Sequence, residues 1–205
     1  MDIVIARYNE DLDWLKNVTR KDCRIFVYNK GHPLVDPNPT WVVEERPNVG
    51  REAESFIYHI MQNYDNMKHC DDKRFTMFMQ GKPFDHISVS RELFIHLLNK
   101  ATSPEDFGNT WYIAHCAGDG SPHHPGINVD EAYAMLQLPL PPPPFYRFIA
   151  GAQFPIENDL VTIHDLDYWK TLHTKAINLE VCAWCFERLW FYIFGGSNDM
   201  FGYCL

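Results

Sequence analysis

Long hydrophobic runs are absent from this 205-residue sequence. No stretch approaches the roughly 18 apolar residues that a helix needs to cross a bilayer, so we expect no transmembrane segment. The beginning of the chain, 1–8, predicts a β-strand and lacks the basic start of a secretory signal peptide. We therefore expect a cytoplasmic protein.

Basic residues are also in short supply. The chain has 18 Lys and Arg residues against 27 Asp and Glu residues, which gives a formal net charge of −9. Proteins that bind nucleic acid over a broad surface neutralise its phosphates with clustered Lys and Arg side chains. The charge balance therefore predicts no nucleic-acid partner, although it is compatible with a local basic pocket for one small phosphate ligand.

The cysteines lack the regular spacing of a disulfide framework. They are Cys23, Cys70, Cys116, Cys182, Cys185 and Cys204. We predict free, mostly buried thiols. Cys182 and Cys185 have CxxC spacing, but no second CxxC follows and the surroundings are a hydrophobic helix, which favours packing over a zinc or redox role.

Hydrophobic residues make up 46% of the chain and charged residues 22%, as in ordinary soluble globular proteins. The length fits one domain over residues 1–205. Strand and helix patterns alternate, which predicts an α/β fold with a central, mixed, mostly parallel sheet flanked by helices. Strands are predicted at 3–6, 24–28, 41–44, 75–79, 111–116 and 145–154, and helices around 14–15 and at 51–64, 89–99, 130–138, 167–175 and 179–194.

The segment 74–86, RFTMFMQGKPFDH, predicts the main ligand site. Its apolar part, FTMFM, is typical of a buried strand that runs into a polar loop. In an open α/β sheet, ligands bind where such strands end. The loop offers Gln80, Lys82, Asp85 and His86. This density of amide, cation, carboxylate and imidazole favours a functional site.

Two earlier predicted strands also end in polar loops. The loops contain Arg7, Tyr8, Asn9 and Glu10 after the first strand, and Asn29 and Lys30 after the second. Asn9 or Asp11 is a candidate cap for the helix after the first loop, and a helix N-terminus at a strand end favours an anionic ligand. Such a β-loop-α-β beginning is typical of nucleotide-binding α/β proteins.

Arg51 lies in the first turn of the predicted helix 51–64. A cation at a helix N-terminus is unfavourable for the helix dipole, so its position needs another explanation. One explanation is that Arg51 binds a phosphate, and the other is a surface ion pair with Glu52 or Glu54.

Two further regions contain reactive side chains. The loop 117–126 holds Asp119, His123 and His124, and the hydrophobic helix 179–194 holds Glu187 and Arg188. Adjacent histidines point apart in an extended chain, so a metal would take one of them rather than both. A buried carboxylate and a buried guanidinium must be paired or used. Glu187 and Arg188 therefore predict either a structural ion pair or part of a site.

Six ordered motifs span nearly the whole chain. They are ARYNEDLDWL at 6–15, YNKG at 28–31, PNVGRE at 47–52, FMQG at 78–81 with PFDH at 83–86, GAQF at 151–154 and ERLW at 187–190. Together they resemble a family of uncharacterised proteins from large DNA viruses, bacteria and fungi. The layout is similar to that of GT-A glycosyltransferases, and the size resembles a small domain assigned to capsid glycosylation in algal viruses. This resemblance implies a GT-A-like fold and, for a viral protein, the host cytoplasm.

The GT-A resemblance implies an enzyme that moves a sugar from a nucleotide-diphosphate donor, with a UDP-sugar favoured, to a glycan or glycoprotein acceptor. The first strand-loop, 7–10, would hold the base, and Gln153 would lie near the transferred sugar. The donor contacts implied are Arg7, Tyr8, Asn9, Glu10, Asn29, Lys30, Arg51, Gln80 and Lys82, with Arg51 or Lys82 on phosphate oxygens.

GT-A enzymes present an Asp-x-Asp motif to Mn²⁺ and the diphosphate, whereas the equivalent place here reads QGK at 80–82. Asp85 and His86 are therefore the first candidates for metal ligands, and oxygen ligands with one imidazole suit Mn²⁺ or Mg²⁺. Asp119 or Glu187 is the candidate general base for an inverting reaction. The choice between inversion and retention stays open.

Two other functions fit the same residues. A metal-dependent hydrolase would use His86, His123 and an Asp, and activity on a phosphoester without any acceptor would favour it. A non-catalytic nucleotide- or sugar-binding module would explain the missing Asp-x-Asp, and tight UDP binding without turnover would favour that function.

Overall fold

Strands and helices alternate in the computed structural model, which describes residues 1–69 and 74–196. The strands are β1 (Asp2–Arg7), β2 (Arg24–Asn29), β3 (Val42–Glu45), β4 (Phe75–Gln80), β5 (Ile113–Cys116), β6 (Tyr146–Ile149) and β7 (Phe154–Glu157). The α-helices are α1 (Arg51–Lys68), α2 (Arg91–Lys100), α3 (Val129–Met135), α4 (Leu166–Ile177) and α5 (Ala183–Ile193). Within the described ranges, no helix is long and apolar enough to cross a membrane. The predictions for Cys70 and Cys204 lie outside the described residues.

Five strands form the central sheet in the order β3-β2-β1-β4-β7. Neighbouring strands are parallel, except that β7 runs antiparallel to β4. Every residue of β1 is buried, as expected for a strand whose two faces are covered. The predicted α/β fold with a mixed, mostly parallel sheet is therefore confirmed.

The sheet has a topological switch point between β1 and β4. The chain runs outward from β1 to β2 and β3, and α1 then returns it to β4 on the other side of β1. Because the next strand of this sheet after β1 is β2, on one side, and the next after β4 is β7, on the other side, a crevice opens at the carboxyl ends of β1 and β4. Open α/β sheets bind ligands in such a crevice.

Aromatic side chains join two helices to the sheet. The Phe56 ring of α1 lies 5.1 Å from Phe78 on β4, 6.0 Å from Phe154 on β7 and 6.0 Å from Trp190 on α5, measured between ring centroids. All four side chains are buried. Through this cluster, α1 and α5 pack together against β4 and β7.

The strand predicted at 145–154 is wrong, because a tight turn divides that segment. Gly151 and Ala152 both have positive φ, +84° and +49°, and they reverse the chain between β6 and β7. β6 pairs with β5 in a separate two-stranded sheet, whereas β7 joins the central sheet. Position 151 also has no room for a side chain, because an added Cβ would lie 2.7 Å from the His86 ring.

The helix predicted after the first loop is only a short 3-10 segment, Asp13–Asn17. Asn9 does not cap it, because its Oδ1 accepts a hydrogen bond from the His32 backbone N–H at 2.8 Å. Asp11 instead accepts one from the Asp13 backbone N–H at 2.7 Å. So short a segment aligns few peptide dipoles, and it does not supply the predicted anion-binding helix N-terminus.

Candidate functional site

A cavity of about 320 Å³ lies at the topological switch point. Its lining residues lie at the ends of β1 and β4, in the loops after β1, β2 and β3, and at the start of α1. They are Ala6, Arg7, Tyr8, Glu10, Lys30, Asn48, Arg51, Glu52 and Gln80. The structure thus brings together residues from three separate predicted loops, including six of the nine predicted donor contacts. Asn9, Asn29 and Lys82 are the three that do not line it.

Arg7 organises the loops beside the cavity. Its guanidinium donates to Asn29 Oδ1 at 2.5 Å and to the backbone carbonyls of His32 at 2.8 Å and Glu10 at 2.9 Å. Only 9% of Arg7 is exposed. These hydrogen bonds hold the carboxyl ends of β1 and β2 together. The guanidinium of Arg7 therefore stabilises the wall of the cavity.

Asn29 lies inside the protein rather than in the cavity. Its side-chain nitrogen donates to both carboxylate oxygens of Glu45, at 2.9 and 2.8 Å, and to the His32 carbonyl at 3.0 Å. Its oxygen accepts from Arg7. Because donor and acceptor are both engaged, Asn29 ties β2 to β3.

Lys30 fixes the start of α1. Its ammonium donates to the backbone carbonyls of Val49 at 2.6 Å and Arg51 at 2.5 Å, and it pairs with Glu54 at 2.7 Å. Burial lowers the pKa of Lys30, and the hydrogen bond to Glu54 opposes that change. Lys30 therefore lies in the wall of the cavity, and the Glu54 carboxylate neutralises its charge from inside the protein.

Arg51 is the most exposed of the three cations that line the cavity. Its side chain is 58% exposed, and its Nε lies 3.4 Å from the Glu52 carboxylate. Both Arg51 and the preceding Gly50 have positive φ, +49° and +62°. Glycine adopts such a conformation without strain, but in Arg51 it costs of order 1–3 kcal/mol, and strained residues cluster at functional sites. Here the conformation lets a cation line the cavity at the start of α1.

Glu52 is predicted from the sequence only as an ion-pair partner for Arg51. It lines the cavity from the first turn of α1. Burial raises the pKa of its carboxyl, and the nearby charge of Glu187 adds to this effect, against the influence of Arg51 and of its own backbone N–H. Carboxylates with raised pKa values in clefts are candidate acids and bases. Its position beside Arg51 in PNVGRE was the available sequence signal.

A chain of hydrogen bonds connects the end of β4 to α5. Gln80 donates to the Gly151 carbonyl at 2.7 Å, and the Gly151 N–H donates to Glu187 at 2.6 Å. The second oxygen of Glu187 accepts from Arg188 at 2.9 Å. Glu187 and Arg188 therefore form the structural ion pair that was one of the two predictions for them. Arg188 also donates to the Trp184 carbonyl at 2.7 Å.

Gln153 and Asp119, two predicted catalytic residues, lie apart from the cavity lining. Gln153 is fully buried and donates to the Pro83 carbonyl at 3.0 Å. Asp119 lies in an exposed loop, where the backbone N–H of Ser121 at 3.0 Å lowers the pKa of its carboxyl. The structure therefore places neither the Gln153 carboxamide nor the Asp119 carboxylate among the predicted donor contacts that line the cavity.

The predicted metal ligands lie in the 3-10 segment Pro83–His86. Asp85 is exposed and pairs with Lys82 at 2.9 Å, while His86 packs against Gly151. Among residues 1–69 and 74–196, no group of three His, Cys, Asp or Glu side chains comes together to hold a metal. The described residues therefore form no three-ligand centre of the kind that the hydrolase built on His86, His123 and an Asp would need.

The fold and the cavity define an α/β protein with a polar, mixed-charge pocket at its topological switch point. Comparisons with protein-family models, with curated proteins and with solved structures found no match.

Proposed function

We propose that this protein is a glycosyltransferase that takes a sugar from a nucleotide-diphosphate donor, with a UDP-sugar favoured, and transfers it to a glycan or glycoprotein. One observation carries the proposal: the cavity at the switch point combines an exposed guanidinium, Arg51, with two carboxylates, Glu10 and Glu52. A nucleotide sugar presents the matching groups, a diphosphate for the cation and hydroxyls for the carboxylates. The GT-A-like character of the fold is part of this proposal.

The volume of the cavity suits part of such a donor. Ligand pockets usually enclose about 300–1,000 Å³, so 320 Å³ accommodates the nucleoside or the sugar rather than the entire donor. A second cavity of about 180 Å³ shares Arg7 and Glu10 with the first and includes Trp41 in its lining. A donor that extends across both would place a flat ring near Trp41 and its diphosphate near Arg51.

The chemistry requires stabilisation of the leaving group and removal of a proton. As the bond between the sugar and the diphosphate breaks, negative charge grows on the diphosphate, and a fixed cation such as Arg51 stabilises it. The acceptor hydroxyl loses its proton to a base, for which a carboxylate of raised pKa is suited. We assign this role to Glu52, because Glu187 is engaged by Gly151 and Arg188.

The first experiment is calorimetric titration of the protein with UDP, GDP and UDP-glucose, each with and without Mn²⁺. Replacing Arg51 with Ala should weaken UDP binding about 10- to 100-fold, since a hydrogen bond to a charged group contributes about 1.5–3 kcal/mol. Arg91→Ala is the matched control, because Arg91 is also exposed and also begins a helix. The absence of binding across the whole panel would contradict the proposal.

Turnover tests the assignment of Glu52. Glu52→Gln keeps the size of the side chain and removes the base, so release of UDP from UDP-glucose should fall about 10²- to 10⁴-fold while UDP affinity changes little. Glu92→Gln, at the same helical position in α2 and exposed, should retain the parental rate. Equal rates for the two variants would show that Glu52 is not the base.

A requirement for Mn²⁺ or Mg²⁺ stays a prediction, and no step above depends on it. Asp85→Ala tests it directly, since Asp85 is exposed and its ion pair with Lys82 has little structural weight. The variant should lose any metal-dependent part of UDP binding with little change in melting temperature. Unchanged metal dependence would show that Asp85 is not a ligand.

A non-catalytic nucleotide- or sugar-binding module is the second candidate. It is favoured by the internal engagement of Arg7, Asn29 and Lys30, which gives the cavity rigid walls and few free polar groups. UDP binding without any release of UDP from UDP-sugars, in the presence of glycan acceptors, would establish this function in place of transfer.

A further inference from the structure

Two thiols meet at the beginning of α5. Cys182 is the N-terminal cap of the helix, and its Sγ accepts a hydrogen bond from the Cys185 backbone N–H at 3.3 Å. The two Sγ atoms are 3.0 Å apart. A disulfide bond is about 2.05 Å long, so the two sulfurs lie within about 1 Å of bonding distance.

The two cysteines differ in access to solvent. Cys182 is partly exposed, whereas Cys185 is only 3% exposed. A disulfide-containing molecule can therefore reach the first sulfur but not the second. This asymmetry matches the division between an attacking thiol, which meets the substrate, and a resolving thiol, which acts from inside the protein.

The electrostatics of the pair follow the same division. The hydrogen bond between the two thiols, aided by backbone N–H groups at the start of α5, lowers the pKa of Cys182 against the effect of its burial. The same hydrogen bond and burial raise the pKa of Cys185. The accessible sulfur therefore loses its proton more readily and supplies the reactive thiolate, and the buried sulfur keeps its proton.

We propose that Cys182 and Cys185 form a dithiol–disulfide exchange site, with Cys182 as the attacking thiol, Cys185 as the resolving thiol and small disulfides as the substrate class. This activity is independent of the proposed glycosyl transfer. A zinc site is the other use of a CxxC pair, but the described part of the chain brings no third His, Cys, Asp or Glu side chain into position.

The exchange proceeds in two balanced steps. The Cys182 thiolate attacks one sulfur of a small disulfide, the bond between its two sulfurs breaks, and one thiolate leaves as the mixed disulfide forms on Cys182. Cys185 then gives its proton to the first leaving thiolate and attacks the Cys182 sulfur. The bond between Cys182 and the remaining half of the small molecule breaks, and that half leaves as a thiolate, which takes up a proton from water. The thiolate–thiol pair of the protein loses two electrons and one proton, and with the proton from water the small disulfide is reduced to two thiols.

Intact-mass and peptide mass spectrometry after incubation with oxidised glutathione tests the proposal. The parental protein should form a disulfide between Cys182 and Cys185. Cys185→Ser should accumulate glutathione on Cys182, because the resolving thiol is missing. Cys182→Ser should form neither product at these positions, and Ser preserves the helix cap because it is a preferred capping residue.

Cys23 is the matched control within the same molecule. Burial raises the pKa of its thiol to about 11, so Cys23→Ser should behave as the parental protein, and Cys23 itself should not take up glutathione near neutral pH. Glutathione on Cys182 and Cys23 to the same extent, or persistent glutathione on Cys182 with Cys185 intact, would overturn the proposal.

The pH dependence of alkylation supplies a second readout. The midpoint for modification of Cys182 by iodoacetamide should lie below that of an ordinary thiol, and circular dichroism should show that the protein stays folded over the pH range used. A midpoint near that of an ordinary thiol, about 8.5, would contradict an activated attacking cysteine even if a disulfide formed.

Discussion

Glu54 is a fully buried carboxylate that binds three basic side chains. It pairs with Lys30 at 2.7 Å, Arg46 at 2.6 Å and His173 at 3.1 Å. Burial alone would raise the pKa of Glu54, but hydrogen bonds from His173, Lys30 and Arg46 lower it to about 2. This one side chain thus connects α1 to the end of β2, to the segment after β3 and to α4.

Replacing Glu54 with Gln should lower the free energy of unfolding by roughly 3–5 kcal/mol, because the buried cations would lose their counter-charge. Urea denaturation measures the change. Glu92→Gln, an exposed carboxylate in the first turn of α2, should change stability by less than about 0.5 kcal/mol. A small effect at Glu54 would mean that water or neighbouring groups compensate for the lost charge.

The polar residues around the cavity show what the sequence does not reveal about single side chains. Polar side chains after a strand predicted Glu10 as a ligand contact, and a cation in the first turn of a helix predicted Arg51; both line the cavity. The sequence could not separate them from Asn29 and Lys30, whose partners, Glu45 and Glu54, are distant in the chain. Only the folded arrangement decides which polar group faces solvent and which is satisfied internally.

The turn between β6 and β7 is an element on which the cavity depends. Its Gly151 carbonyl accepts from Gln80, its N–H donates to Glu187, and its open Cα side accommodates His86. Gly151→Ala should lower the free energy of unfolding by more than Gly126→Ala. Gly126 also has a positive φ, +94°, but nothing lies within 4 Å of its missing Cβ.

The difference between these two glycine variants isolates the contact with His86 from backbone strain. Strain alone costs roughly 1–3 kcal/mol, and both variants bear it. Thermal or urea denaturation gives the two values, and UDP titration of Gly151→Ala reports whether the turn also shapes the cavity. Equal stabilities would show that His86 moves aside freely.

Periodicity identified the elements whose pattern is local. The apolar runs of β1 and β4, and the stripe along α1, are visible in consecutive residues, and each forms as expected. The segment 145–154 looked like one strand because its turn uses Gly151 and Ala152 rather than an exposed polar pair. The segment divides because its first part, β6, pairs with β5 and its last residue belongs to β7, which pairs with β4. Both partners are remote in sequence.

At the scale of the molecule, the order of the strands creates the cavity. The sequence predicted a mostly parallel sheet, but not that α1 would return the chain across β1 to β4. That crossing brings the loops after β1, β2 and β4 to one place and sets Glu52 against the far end of the chain, near Glu187. The role of Glu52 was therefore invisible without the topology.

The stability of the whole molecule should fall in mild acid, because a buried histidine must stay neutral. His59 is fully buried, lies 4.7 Å from the Phe26 ring centroid and contacts the Tyr28 hydroxyl at 2.9 Å. Burial lowers the pKa of its imidazole from 6.5 to about 4. Since the unfolded chain takes up the proton first, the stabilisation is complete above pH 6.5 and is lost as the pH falls to about 4.

Urea denaturation at pH 7 and at pH 5 should therefore differ by roughly 2 kcal/mol through His59 alone. Glu54 adds little in this range, because its contribution is lost only below about pH 4.5. His59→Gln should be less stable at pH 7 but should show a smaller loss between the two pH values. His96→Gln, at an exposed position of α2, should keep the parental pH dependence, and an identical pH dependence in His59→Gln would assign the acid sensitivity to other groups.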